Sequence, residues 1–322
     1  MTLHRRAALL AAPSLVLGAK AFRAQGFPTR PIRMFVPHTP CGVSDITARL
    51  IAEPMAVALG QPVPVENRAG ADGVIGTDVI AKATDGHTLG LVSVGHPVNA
   101  AFYRLPYDTV RDFTFLSLTT RTPLVMCAAR TFAASTPAEF VALAGRNPPG
   151  HLTFAGTAGV VRLAPLLFAQ RTNTQLTYVP YRGSTQAHPD LMAGRVDVMF
   201  DTVPAALAHI QSGSLKALAT TGATRAPQLP DVPTMGEFLP GFEASTWGMV
   251  IGPANMPEPV VTRLHREIVA ALNRPDVLER HKTLGAEVAT LTPEQSRDFT
   301  ISEMEKWGAA ARAAGIQPQN AG

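Results

Sequence analysis

Pro31-Ile32-Arg33-Met34-Phe35-Val36-Pro37-His38-Thr39-Pro40-Cys41-Gly42-Val43-Ser44-Asp45 reads as a strand, a turn and the start of a helix. Residues 31–36 form a short apolar run bounded by prolines, which is a strand signal. Residues 45–59 follow with Ile51, Met55 and Leu59 at helical spacing, so one face is apolar. The junction between them collects backbone N–H groups under the positive end of a helix dipole. It is therefore a candidate seat for a carboxylate or phosphate. The carboxyl end of a strand is also where open α/β sheets bind ligands.

The same unit recurs outward along the chain. Strands are expected at residues 63–65, 88–93, 152–154, 176–179 and 196–200, with helices at 74–83, 163–170, 189–193 and 205–211. This alternation predicts an α/β protein built on a parallel sheet with crossover helices. Thr136-Pro137-Ala138-Glu139, Thr234-Met235-Gly236-Glu237 and Thr292-Pro293-Glu294-Gln295 have the spacing of capping boxes and mark helix starts. Pro54, Pro165 and Pro189 fall inside expected helices, so each predicts a kink or the first turn of a shorter helix. There is no repeat and no long linker, so two domains in this length must be joined by compact crossings.

Composition narrows the function. The chain has 322 residues and 46% apolar content, which excludes intrinsic disorder. Its formal charge is +4. Residues 1–24 read as an export signal: Arg5 and Arg6 precede an apolar run at 7–19, and Ala19-Lys20-Ala21 offers a small-x-small cleavage site. Removing residues 1–21 leaves 25 basic and 24 acidic side chains, and cleavage after Ala24 also removes Arg23 and gives zero net charge. The mature chain then has no basic footprint for nucleic acid, and a periplasmic location is expected. Two cysteines, Cys41 and Cys127, cannot build a disulfide scaffold or a four-cysteine zinc site. One bridge between them is arithmetically possible, and so are two buried thiols.

Several constellations were weighed for chemistry. Phe154-Ala155-Gly156-Thr157-Ala158-Gly159 is a second strand-to-helix turn with backbone donors. Ser44 is placed to cap the first helix, and Asp201, at another strand end, either caps the next helix or touches a ligand. Gly70, Gly73 and Gly76 have the spacing G-x-x-G-x-x-G rather than a dinucleotide fingerprint, so they read as turn and helix-start glycines. The histidines are scattered, with no H-E-x-x-H and no C-x-x-C, so no metal site, cofactor or catalytic set is expected. A hydrolase using Cys41 or Ser93 would need a histidine within about 3.2 Å and an acid orienting it.

The ordered motifs also resemble a family. Val36-Pro37 with Gly42 and Asp45, Gly60-Gln61-Pro62-Val63, Val65-Glu66-Asn67-Arg68-Ala69-Gly70-Ala71, Asp85-Gly86-His87-Thr88-Leu89 and Leu105-Pro106-Tyr107-Asp108 are similar to the Bug-type, TctC-like extracytoplasmic receptors of tripartite tricarboxylate transporters. So are Val179-Pro180-Tyr181-Arg182-Gly183-Ser184, Gly194-Arg195-Val196-Asp197, Met199-Phe200-Asp201 and Leu229-Pro230-Asp231-Val232-Pro233-Thr234. The resemblance implies a two-domain periplasmic-binding-protein clamshell of type II kind, each domain a sheet flanked by helices. It implies domain one at 27–125 plus 246–322 and domain two at 126–245. A small organic carboxylate would sit in the cleft, gripped by His38, Thr39, Cys41, Gly42, Val43, Ser44 and Asp45 on one side. Thr157, Ala158 and Gly159 would grip from the other, with Ser93 and Asp201 nearby. The implied receptor is a monomer that hands its ligand to the membrane components of a transporter. A sensor feeding a signalling partner is the alternative within the binding class.

Departures from the family pattern bear on the ligand. Cys41 and Val43 stand where glycines are usual, Pro40 offers no N–H, and the second loop is shortened. Arg162 either supplies a charge in place of lost backbone donors or is a solvated helix residue. His38 would make affinity pH-dependent.

Overall fold

The computed structural model describes residues 26–320 apart from Cys41 and Ala158. The expected signal segment 1–24 and those two site residues lie outside the described residues. In chain order the elements are β1 (Arg33–Val36), α1 (Val43–Leu59), β2 (Val65–Asn67), α2 (Val74–Ala81), β3 (Thr88–Ser93), α3 (Gly95–Phe102), β4 (Tyr103–Arg104) and β5 (Phe113–Ala129). Then come α4 (Pro137–Arg146), β6 (Thr153–Gly156), α5 (Val160–Thr172), β7 (Thr177–Pro180), α6 (Ser184–Met192), β8 (Val198–Thr202), α7 (Val203–Gln211) and β9 (Leu215–Thr220). The chain closes with α8 (Met235–Phe238), β10 (Ser245–Pro253), α9 (Glu258–Leu272), α10 (Pro275–Thr283), β11 (Glu287–Val288), α11 (Pro293–Ala313) and β12 (Gln319–Asn320).

The fold is α/β, but the sheet is mixed rather than parallel. The strand order is β2-β1-β3-β10-β5-β8-β6-β7, with β9 and β11 also on β5. β1 pairs in parallel with β2 and β3, and β6 with β7 and β8. β10 runs antiparallel to both β3 and β5. The alternation of strand and helix pointed to the parallel parts and missed β5 and β10. Both are almost wholly buried, so their side chains lack the in-out alternation that marks a half-solvated strand.

β5 joins two half-sheets. From Phe113 to Pro123 it pairs with β10, and from Leu124 to Ala128 with β8. β9 lies on its other edge from Val125 to Ala129. One apolar core packs α1 and α9 against β1, β3 and β10 through Met34, Ile51, Met55, Leu264 and Ile268. The other runs under the second half-sheet through Phe140, Phe154, Phe168 and Phe200.

Local signals held with adjustments. The strand expected at 63–65 begins at Val65, because Pro62 and Pro64 cannot donate; their carbonyls instead accept from Ile32 and Met34 N–H. Pro54, Pro165 and Pro189 lie in the interior of α1, α5 and α6, so the shorter-helix reading is corrected. Burial of one face of each helix outweighs one lost bond. Thr234 and Thr292 form complete capping boxes. At α4 Thr136 caps Glu139 N–H, while the Glu139 carboxylate accepts from Ser135 N–H instead. Cys127 is a buried free thiol, raised in pKa by burial. Among the described residues no helix is long and apolar enough to cross a membrane.

Candidate functional site

The loop after β1 is fixed by polar side chains from neighbouring elements. Asn67, at the end of β2, donates from Nδ2 to the His38 carbonyl at 3.1 Å and to Asp45 Oδ1 at 3.0 Å. Arg49, one turn along α1, donates to both Asp45 oxygens and to Asn67 Oδ1. The Asp45 carboxylate is thus consumed in holding the loop. It is 4% exposed and does not line the cleft, unlike His38, Thr39, Gly42, Val43 and Ser44 of the same loop. Gly42 is the N-cap of α1 and no side chain caps it, so Ser44 is a first-turn residue rather than the cap. A glycine has no side chain to cap with, and the Ser44 side chain faces the cavity instead.

Two adjoining cavities make the cleft. One, of about 250 Å³, is lined by His38, Thr39, Gly42, Val43, Ser44 and Ser93, with Thr120 and Thr122 from β5 and Thr246, Trp247 and Gly248 from β10. The other, of about 330 Å³, shares His38, Ser93 and Thr246 with the first and continues to Thr157, Gly159 and Arg162. The structure therefore brings the two expected loops to one cleft. The threonine floor was not anticipated, because β5 and β10 were not recognised as strands. Gly248 belongs to that floor: a Cβ there would lie 2.6 Å from Thr119 Oγ1. Trp247 donates from Nε1 to Glu303 Oε2 at 2.9 Å, as does Trp307, so α11 braces the floor from behind.

His38 and Ser93 meet at the centre. His38 Nε2 and Ser93 Oγ are 2.9 Å apart, and Ser93 Oγ accepts from Gly95 N–H at 3.3 Å. Burial pushes the His38 pKa below its usual value, against the pull of Asp72, so the imidazole is neutral near pH 7. This satisfies half of what a serine hydrolase needs. Among the described residues no carboxylate hydrogen-bonds His38 to orient it; the Asp72 carboxylate lines the same cavity but accepts from Tyr103 Oη at 2.5 Å. The arrangement is a hydrogen-bonded polar pair lining both cavities, and among the described residues it lacks the third group of a triad.

The second loop is held by side-chain packing. Tyr178 on β7 donates to the carbonyls of Gly156 and Thr157 at 3.4 and 3.3 Å. Its ring leaves no room for a side chain at position 156, where a Cβ would sit 2.9 Å from Tyr178 Cε2. Gly159, at φ 59°, turns the chain into α5. One turn into that helix, Arg162 lies between two rings: its Cζ is 4.6 Å from the Tyr178 centroid and 5.4 Å from that of Phe102. It is half-buried and lines the cavity, so the solvated-helix reading is corrected. Its Nε is buried with no hydrogen-bond partner. An orphaned donor of that kind costs on the order of 1–3 kcal/mol, against about 0.5–2 kcal/mol returned by stacking.

Asp201 is not at the cleft. It is 1% exposed, and its oxygens accept from Ser184 Oγ at 2.9 Å and Thr202 N–H at 2.8 Å and meet His188 Nε2 at 2.8 Å. It ties α6 to β8 behind the second loop. Three internal partners and near-complete burial hold its oxygens away from the cleft. Among the described residues no group of three or more His, Cys, Asp or Glu could hold a metal.

The chain is similar to known proteins over most of its length. The family model described as the tripartite tricarboxylate transporter family receptor matches residues 47–316. A protein from the tcbD-tcbE intergenic region of Pseudomonas sp. strain P51 is 43% identical over 313 residues, covering 94% of this chain and 92% of that one. BugT of Bordetella pertussis is 37% identical over 301 residues, covering 91% and 92%. A structure from R. palustris with adipate superposes with a TM-score of 0.74 at 31% identity, over 91% of this chain and all of that one. MatC of Rhodopseudomonas palustris with bound malate gives 0.70 at 33%, over 88% of this chain and all of that one.

Proposed function

We propose, from the premise that this chain belongs to the tripartite tricarboxylate transporter receptor family, that it is a periplasmic receptor for a small organic carboxylate. It delivers that ligand to the membrane components of a transporter and acts as a monomer. The observation that carries the reading is the convergence of two strand-to-helix loops, around His38–Ser44 and Thr157–Gly159, on one cleft. Each loop presents the amino end of a helix, where first-turn N–H groups have no partner further up the helix. The relatives solved with adipate and malate support a carboxylate as the ligand class.

The domains are residues 27–125 plus 246–322 and residues 126–245. The partner exchange of β5 between Pro123 and Leu124, opposite Ser245 of β10, supports a hinge at these crossings. Ligand capture closes the two halves over the anion, and the closed face is what a membrane partner reads. Export by residues 1–24 places the receptor where such a ligand arrives.

Calorimetric titration of refolded protein beginning near Gln25 with mono-, di- and tricarboxylates tests the reading. A one-to-one isotherm in the micromolar range or tighter for one acid supports it. Folded protein that binds none of them overturns it.

A further inference from the structure

Resting on the carboxylate-receptor reading, we infer that Arg162 is the side chain that grips the ligand's carboxylate. Among the described residues no hydrogen bond or ion pair engages this guanidinium, although it lines the cleft and its Nε is buried. A guanidinium is always charged, so it cannot relieve that cost by losing a proton. A ligand carboxylate in the cleft can pair that charge by accepting from the terminal Nη groups.

The stack fixes where the fork points. Tyr178 comes from β7 in the second half-sheet and Phe102 from the end of α3 beside the first. Two rings hold the guanidinium plane, so little side-chain freedom is lost when the anion binds. Both halves contribute a ring, so an anion on Arg162 also strengthens the contact between them.

The cavity that Arg162 lines mixes apolar side chains, Val94, Phe102, Val160 and Val161, with polar ones, Asp72, Asn99, Tyr103 and Thr157, so its lining does not select a hydroxylated or an unhydroxylated chain.

The test is calorimetric titration of refolded protein with adipate, benzoate, malate and citrate, and with adipamide as the uncharged control. The parent is expected to bind at least one of the four acids and adipamide not measurably. Arg162→Gln should weaken the tightest acid by about tenfold to a hundredfold. Arg162→Lys keeps charge and stack but loses the fork, and should fall between the two. Arg162→Gln that binds within twofold of the parent overturns the assignment of Arg162 and leaves the receptor reading standing. A folded parent, checked by its melting temperature, that binds none of the four acids overturns this inference together with the reading it rests on. Were Arg162→Gln to unfold, Arg162→Lys measured against the parent would decide the same point.

Discussion

The loop around His38 and the loop around Gly159 face one cleft and are held by different forces. The first is locked by backbone contact and a polar clamp: Gly76 in α2 packs directly on Pro37, and Asn67 and Arg49 pin the His38 carbonyl and Asp45. What it shows the cleft is uncharged, a neutral imidazole with a ring of hydroxyls. The second loop is held by the Tyr178 side chain and shows the cleft a cation. A charge can sit beside a packed ring because stacking costs it little hydration, whereas the first loop, built from hydrogen bonds, has its own carboxylate, Asp45, already engaged. One wall supplies shape and the other supplies charge.

The sharpest way to break this comparison is to add one methyl group to each side. A Cβ at Gly76 would lie 2.5 Å from the Arg68 carbonyl oxygen and 2.9 Å from Pro37 Cα, both backbone atoms. Gly76→Ala is expected to cost about 3 kcal/mol in urea unfolding. Gly156→Ala meets a side-chain atom, Tyr178 Cε2 at 2.9 Å, rather than backbone at that distance, and about 1 kcal/mol is expected. Equal losses would mean that the second loop is as rigid as the first.

Acid should act on the first side and leave the guanidinium untouched. His96, at the start of α3, is packed against Tyr107 and Phe113. Burial lowers its pKa to about 4, against a hydrogen bond to the Thr109 carbonyl that raises it. The unfolded chain takes up this proton near pH 6.5 and the folded chain resists it to about pH 4. Stability therefore falls as pH drops through that window, by about 2 kcal/mol between pH 7 and pH 5. Urea midpoints at the two values measure it, and His96→Gln should flatten the difference.

Asn67→Ala removes the clamp and leaves the His38 carbonyl and one Asp45 oxygen short of a donor. A loss of about 1 kcal/mol is expected, with weaker carboxylate binding in calorimetry. A stability loss with unchanged affinity would show that the loop keeps its shape without the clamp. The smallest effect belongs to Asp72, the carboxylate that shares the cavity with Arg162. Asp72→Asn removes one repulsive charge and should tighten an anion by about twofold to fivefold at low salt. Weaker binding after this change would mean that Asp72 contacts the ligand favourably.

Much of the site was legible, because strand-to-helix turns are local. The spacing of Ile51, Met55 and Leu59 located α1, and with it the loop that carries His38, Thr39, Gly42, Val43 and Ser44. Thr157 and Gly159 followed from the same logic. Asp45 and Asp201 look alike in sequence, as acids at strand-helix junctions, yet both turn away from the cleft. Their partners, Asn67 for one and Ser184 with His188 for the other, lie 13 to 22 residues away, and nothing local announces them. The Thr120, Thr122 and Thr246 floor was hidden for a different reason: buried antiparallel strands have no alternation to read.

By itself the sequence determined the α/β class, the two loops that meet at the cleft and the family of the chain, because each is written in contiguous residues. Only the tertiary structure decided which polar groups remain free to meet a ligand. That depends on which lone pairs and N–H groups distant segments have already used. Arg162 stands open to the cleft because the rings of Phe102 and Tyr178, 60 and 16 residues away, take its flat face and leave its edge without a partner.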